Sequence, residues 1–208
     1  VSVAVQDEVR PRPLPPRLVG LASLLLVAGG AAFLFGLATD PATAWRSFHV
    51  NLLYFAGIAQ GGLVLACAFV IVGAGWPGPV RRIAEALSAW VPITLLLAVV
   101  DAAGRHHVYP WIEKPLPWKA AWLNEPRLFA TDIGVFLVLA LLSVAYLKAS
   151  LRPSLKAAEE GASGFARRMI ERWTAGWRGE EAERAHSERR MRILAPIICL
   201  VYAWGYSL

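Results

Sequence analysis

The sequence predicts an all-α protein, a polytopic bundle of transmembrane helices with about five spans visible. Hydrophobic residues make up 57% of the chain and charged residues only 17%. Mean hydropathy is +0.48, and this balance lies outside that of soluble globular domains. The apolar residues gather into runs near the length that crosses roughly 30 Å of hydrocarbon. The runs lack the alternation of a barrel strand, and in lipid only helices or closed barrels satisfy their own backbone groups.

Residues 1–17 read as a proline-rich basic tail, too poor in apolar residues at its start for a cleaved signal. The first span, "LVGLASLLLVAGGAAFLFGLA" from Leu18 to Ala38, holds no charge. The second runs from about Val50 to Gly75, with Asn51 and Gln60 as its strongly polar groups. Gly57 and Gly61, four apart within it, predict a smooth face for close helix packing. "GWPGP", Gly75 to Pro79, breaks the chain. The third span, "ALSAWVPITLLLAVV", has fifteen residues between Glu85 and Asp101, with a kink expected at Pro92. The fourth, "IGVFLVLALLSVAYL", has fifteen between Asp132 and Lys148. Residues 18–147 thus form a four-span bundle.

The 148–192 loop carries "FARRMIERWTAGW". Phe165, Met169, Trp173 and Trp177 recur at steps of four, with Arg167, Arg168 and Arg172 on other faces. The pattern predicts a helix in the membrane interface, arginines toward lipid phosphates; a helix docked on a soluble partner shares it. "RGEEAERAHSERR" reads as a solvated mixed-charge helix, with His186 a bystander. Residues 193–208, "ILAPIICLVYAWGYSL", begin a fifth span. Their sixteen residues reach about 24 Å, so the chain is expected to continue.

Charge sets the orientation. With the N-terminus in the cytoplasm, segments 1–17, 76–86 and 148–192 hold sixteen Lys and Arg, against five in 39–49 and 101–131. The basic balance therefore follows from topology, and no nucleic-acid partner is implied. "DAAGRHHVYPW", Asp101 to Trp111, then faces the exterior.

Length arithmetic singles out the acids. A span needs about twenty residues, so Glu85 or Asp101 is expected at hydrocarbon depth, where ionisable groups face a bundle interior and find a partner. Arg81 is four residues before Glu85 and Arg105 four after Asp101, which predicts an ion pair for each. Two readings stay open: interfacial salt bridges that end a helix, or a proton path through Glu85, Asp101 and Asp132. His49, His106, His107, Tyr109 and Trp111 gather with Asp101 and Asp132 at one set of helix ends. They suit a collar for a periplasmic partner or a quinol headgroup site. Trp118 and Trp122 join Tyr109 and Trp111 in an aromatic belt. Adjacent histidines in a loop make a poor metal site. All four histidines lie outside the spans, which argues against intramembrane haem. Cys67 and Cys199 fall in separate apolar runs and read as core residues.

"FHVNLLYFAGIAQGGLVL", "WPGPVRRIAEALSAWVP", "RHHVYPW" and "AWLNEPRLFATDIGVFL" resemble the N-terminal half of the F-type membrane subunit of bacterial alternative complex III. Trp76, Arg81, Arg82, Glu85 and Ala86 match that family's Trp-X-X-X-X-Arg-Arg-X-X-Glu-Ala helix start. His107, Tyr109, Pro110 and Trp111 match its His-X-Tyr-Pro-Trp exit, and Leu123 and Asn124 its Leu-Asn motif. The likeness covers roughly residues 45–150 and, more loosely, 190–208; the family subunit is longer, with a second set of helices. The family is related to the membrane subunits of polysulfide- and nitrite-reductase complexes. The resemblance implies a bacterial inner-membrane subunit of a quinol:electron-acceptor oxidoreductase, without a redox cofactor of its own. It implies partner subunits that hold iron–sulfur clusters and haems, and a role in assembly and proton conduction. The residues leave two alternatives: a quinol-binding redox subunit using His106, His107 and Asp101, and a free-standing transporter.

Overall fold

The computed structural model describes residues 15–76, 78–114, 117–119, 123–159, 162 and 164–207. Among them every regular element is helical: α1 (Pro16–Thr39), α2 (Pro41–Ile71), α3 (Gly78–Ser88), α4 (Val91–Asp101), α5 (Arg105–Val108), α6 (Glu125–Ala158), α7 (Gly164–Thr174) and α8 (Glu180–Gly205). Short 3-10 turns occupy Ala102–Gly104, Pro110–Ile112 and Pro117–Lys119. Pro16–Thr39, Pro41–Ile71, Gly78–Val108 and Glu125–Lys156 are each long and apolar enough to cross a membrane. The chain is a multi-pass membrane protein whose apolar helices contact lipid.

The turn between α1 and α2 is set by Asp40, whose carboxylate accepts from the Thr43 N–H at 3.1 Å just ahead of Pro41 at the first helical position. Phe33 of α1 packs on Trp45 and Phe48 of α2, ring centroids 5.3 and 5.0 Å apart. Otherwise α1 stands on the flank and contributes no buried residue.

The core lies among α2, α4, α6 and α8, with Leu63, Cys67, Val91, Leu139, Tyr146, Ala195 and Ile198 shut off from the surface. Close approach of α2 to α3 depends on Gly62. A Cβ there would lie 2.8 Å from the Ala84 carbonyl oxygen and 2.9 Å from Leu87 Cβ. The packing glycine is therefore not the expected pair. Gly57 and Gly61 face outward, with nothing within 4 Å of either position among the described residues.

The kink expected at Pro92 is a break between α3 and α4 at Ala89–Trp90, two residues before a proline that has no N–H to continue the ladder. The fourth span is longer than its fifteen apolar residues, because α6 runs on past Lys148 and through Pro153. The loop expected from 148 is thus helical in its first part. The fifth apolar run is the C-terminal half of α8. It buries Ala195 and Ile198 against the bundle, but its helix begins with a charged half and is not one of the four candidate spans.

Candidate functional site

Two buried carboxylates stand on the α3–α4 segment, Glu85 within α3 and Asp101 at the end of α4. Glu85, 2% exposed, is held from several sides. Arg82 donates to Oε2 at 2.9 Å, and the Arg81 Nε lies 3.4 Å from Oε1. Ser150 of α6 donates its hydroxyl to Oε1 at 2.6 Å, and Arg82 also reaches the Ser150 oxygen at 3.3 Å. The expected Arg81 pair forms, but Arg82 makes the shorter contact. Ser150 was invisible in the sequence because nothing local links it to Glu85.

Asp101, 6% exposed, has a different partner from the expected one. His49 Nδ1 lies 2.6 Å from Asp101 Oδ2. The 3-10 turn at Ala102–Gly104 intervenes before Arg105, which pairs instead with Glu125 at 2.5 Å. The four-residue rule fails where the helix stops being α. The second oxygen of Asp101, Oδ1, is buried without a hydrogen-bond partner among the described residues.

An aromatic wall closes this end. Tyr109 stands edge-on to His49 at 5.6 Å and packs on Trp111 and Phe129, each at 5.9 Å. Burial, with the charges of Asp101 and Asp132 nearby, pushes the Tyr109 phenol up to about 12, so it stays a donor near neutral pH. Gly104 lets this segment lie against α2: a Cβ would come 2.2 Å from the Trp45 ring, inside any contact distance. Arg46 completes the junction by donating its Nε to the His107 carbonyl oxygen at 3.0 Å. Asp132 stands at the rim, exposed, within electrostatic range of His49. His106 and His107 expose their side chains, and only the His107 main chain takes part. Trp118 is exposed; Trp122 lies outside the described residues.

Between the two ends the core holds further polar groups. Gln60, 1% exposed, accepts a hydrogen bond from the Tyr206 hydroxyl, and its Nε2 is buried without a partner among the described residues. The Tyr146 hydroxyl donates to the Ala66 carbonyl oxygen at 3.3 Å. Gln60 was visible as a polar residue in a span; Tyr206 and Tyr146 gave no signal apart from hydrophobicity.

A helix forms where the interfacial one was expected, as α7, but the side it turns inward is Ile170 and Thr174. Of the expected stripe, Met169 is exposed and Trp173 and Trp177 half-buried, Trp177 lying beyond the helix end. Arg167, Arg168 and Arg172 are exposed, Arg167 pairing with Glu171 at 3.0 Å. The segment "RGEEAERAHSERR" is not wholly solvated, since Glu183 and Ser187 are buried. Arg152 of α6 binds both Glu183 oxygens, at 2.6 and 3.2 Å, and donates to the Trp173 and Ala175 carbonyl oxygens at 3.0 Å each. This guanidinium fastens the α7–α8 turn to the end of α6. Neither Arg152 nor Glu183 stood out in the sequence.

No group of three or more His, Cys, Asp or Glu side chains among the described residues is placed to hold a metal ion. No family model, no curated protein and no solved structure matches this chain.

Proposed function

We propose that the chain is an integral subunit of a quinol-oxidising respiratory complex of the alternative complex III type, N-terminus in the cytoplasm of a bacterial inner membrane. In this reading it scaffolds the partner subunits that hold iron–sulfur clusters and haems, and it conducts protons through its own carboxylates. The resemblance of residues 45–150 supports the class of complex. The observation that carries the proton role is the part-buried His49–Asp101 pair, 2.6 Å apart, with one carboxylate oxygen unpartnered among the described residues.

An imidazole beside a carboxylate gives one proton two places to sit, and Asp101 Oδ1, buried without a hydrogen-bond partner among the described residues, is a spare acceptor. Asp132 at the rim and the protonated Tyr109 supply further exchange partners toward the outside. Inward, the Gln60–Tyr206 pair lies about 16 Å along α2 from His49, and the Tyr146 hydroxyl precedes Ser150 and Glu85 by one turn of α6. Glu85 has two cations and a hydroxyl on it, so it suits a fixed charge better than a carrier. The quinol alternative needs His106 and His107 beside Asp101, and these imidazoles are exposed while Asp101 turns to His49.

The test is Asp101→Asn in the assembled complex. Quinol-to-acceptor electron transfer should stay largely intact while fewer protons move per electron. An unchanged proton stoichiometry in fully assembled D101N complex overturns the proton role.

A further inference from the structure

At the opposite end of the bundle from His49, a cavity of about 360 Å³ opens between the ends of α6 and α8. Lys148 and Arg152 line it from α6, Arg178 from the α7–α8 turn, and Glu183, Ser187 and Arg190 from α8. Four cations thus face one carboxylate, and Arg152 already holds that carboxylate. Among the described residues, Lys148, Arg178 and Arg190 have no ion-pair partner and no side-chain hydrogen bond. Ser187, a lining residue 3% exposed, has its hydroxyl buried without a hydrogen-bond partner among the described residues.

A pocket lined by surplus positive charge suits an anion. Its depth indicates the chemistry. Lys148 ends the apolar run of α6, and Ile193 begins that of α8, so the cavity lies where hydrocarbon gives way to headgroups. Oxygen-rich anions at that level are phosphates, and basic pockets between helices are where lipid headgroups seat. We propose that this cavity binds a phosphate group, held by Lys148, Arg178 and Arg190 and by a hydrogen bond from the Ser187 hydroxyl. The ligand fixes α8 against α6 at the membrane surface. An anionic lipid headgroup and a free phosphate share this chemistry.

The experiment uses the whole chain in nanodiscs of phosphatidylcholine, with and without phosphatidylglycerol, and inorganic phosphate titrated separately into the first. Thermal unfolding and native mass spectrometry read the binding. Phosphatidylglycerol should be retained and should raise the melting temperature, with affinity falling about fivefold for each of Lys148→Gln and Arg190→Gln. Neither side chain pairs with another described residue, so neither variant breaks an ion pair among them. Ser187→Ala should also weaken retention, while leaving the unliganded protein no less stable. Arg167→Gln and Arg168→Gln, on α7 and outside the cavity, should each cost far less than either cavity variant, because they lie outside its lining. If inorganic phosphate alone gives the same stabilisation, lost in the same variants, the source is a free phosphate. If neither probe separates wild type from the Lys148→Gln, Arg190→Gln double variant, the site is overturned. Equal losses from the α7 variants overturn it too, because they would show only general surface charge.

Discussion

Glu85 and Asp101 belong to one kinked segment, sixteen residues apart, which is about 24 Å along a helix and less than the roughly 30 Å hydrocarbon core. Both are buried, yet they are answered differently. Glu85 faces two arginines and a serine hydroxyl that together occupy both of its oxygens. Asp101 faces one histidine and keeps an oxygen free. Arginine stays charged under all ordinary conditions, so the Glu85 cluster is a permanent ion network that locks α3 to α6. Histidine, unlike arginine, is not a permanent cation, so the partner of Asp101 does not fix the charge of that pair as the arginines fix the Glu85 cluster. Burial alone does not mark a proton carrier; the partner's chemistry does.

The largest effect should come from stranding the locked carboxylate. Replacing Arg81 and Arg82 together by Met leaves Glu85 buried with only Ser150 to answer it. Breaking a buried ion pair this way costs about 3–5 kcal/mol. Adding Glu85→Gln to the double variant should recover much of that loss, since a neutral amide needs no counter-charge. Denaturant unfolding in detergent measures both. A double variant as stable as wild type, or no recovery in the triple, removes the distinction drawn between the two ends.

Asp101→Asn is the smaller perturbation. Asn still offers His49 an amide oxygen, and the imidazole is 19% exposed and can turn toward water. A loss of about 1–2 kcal/mol is expected, the scale of a hydrogen bond weakened at a partly buried site. A loss as large as that of the double arginine variant would make Asp101 a structural anchor like Glu85.

The sequence made the fold class and the spans legible because hydropathy acts locally: each run declares its own preference for lipid. It also brought His49, Asp101 and Asp132 to one end, because antiparallel spans place their ends by counting. Which side chain meets which depends on rotation about helix axes, and here local rules misled. The four-residue rule assigned Arg105 to Asp101, but three residues of 3-10 geometry separate them and Glu125 takes the arginine. The small-residue rule chose Gly57 and Gly61, whereas Gly62, one position on, faces α3. Ser150, Arg152 and Glu183 were silent because their partners lie 65 and 31 residues away.

Glu183 offers the mildest test, since it pairs with Arg152 as Glu85 pairs with its arginines but outside the spans. The Arg152 hydrogen bond, with help from its charge and from the Arg178 N–H, holds the Glu183 carboxyl below its ordinary value of 4.5. A carboxyl depressed on folding contributes stability that is complete above the unfolded value and is lost as pH falls through the folded one. The α7–α8 turn should therefore be unaffected between neutrality and about pH 5, then loosen on further acidification. Hydrogen exchange of residues 174–183 should rise in that acid window while residues 85–101 stay protected. In Arg152→Gln the turn should already exchange fast at neutral pH and show no further acid step. Equal acid sensitivity in the two regions would mean that the Glu85 cluster is as open to water as the turn, and that its hold on α6 is not the dry network its 2% exposure describes.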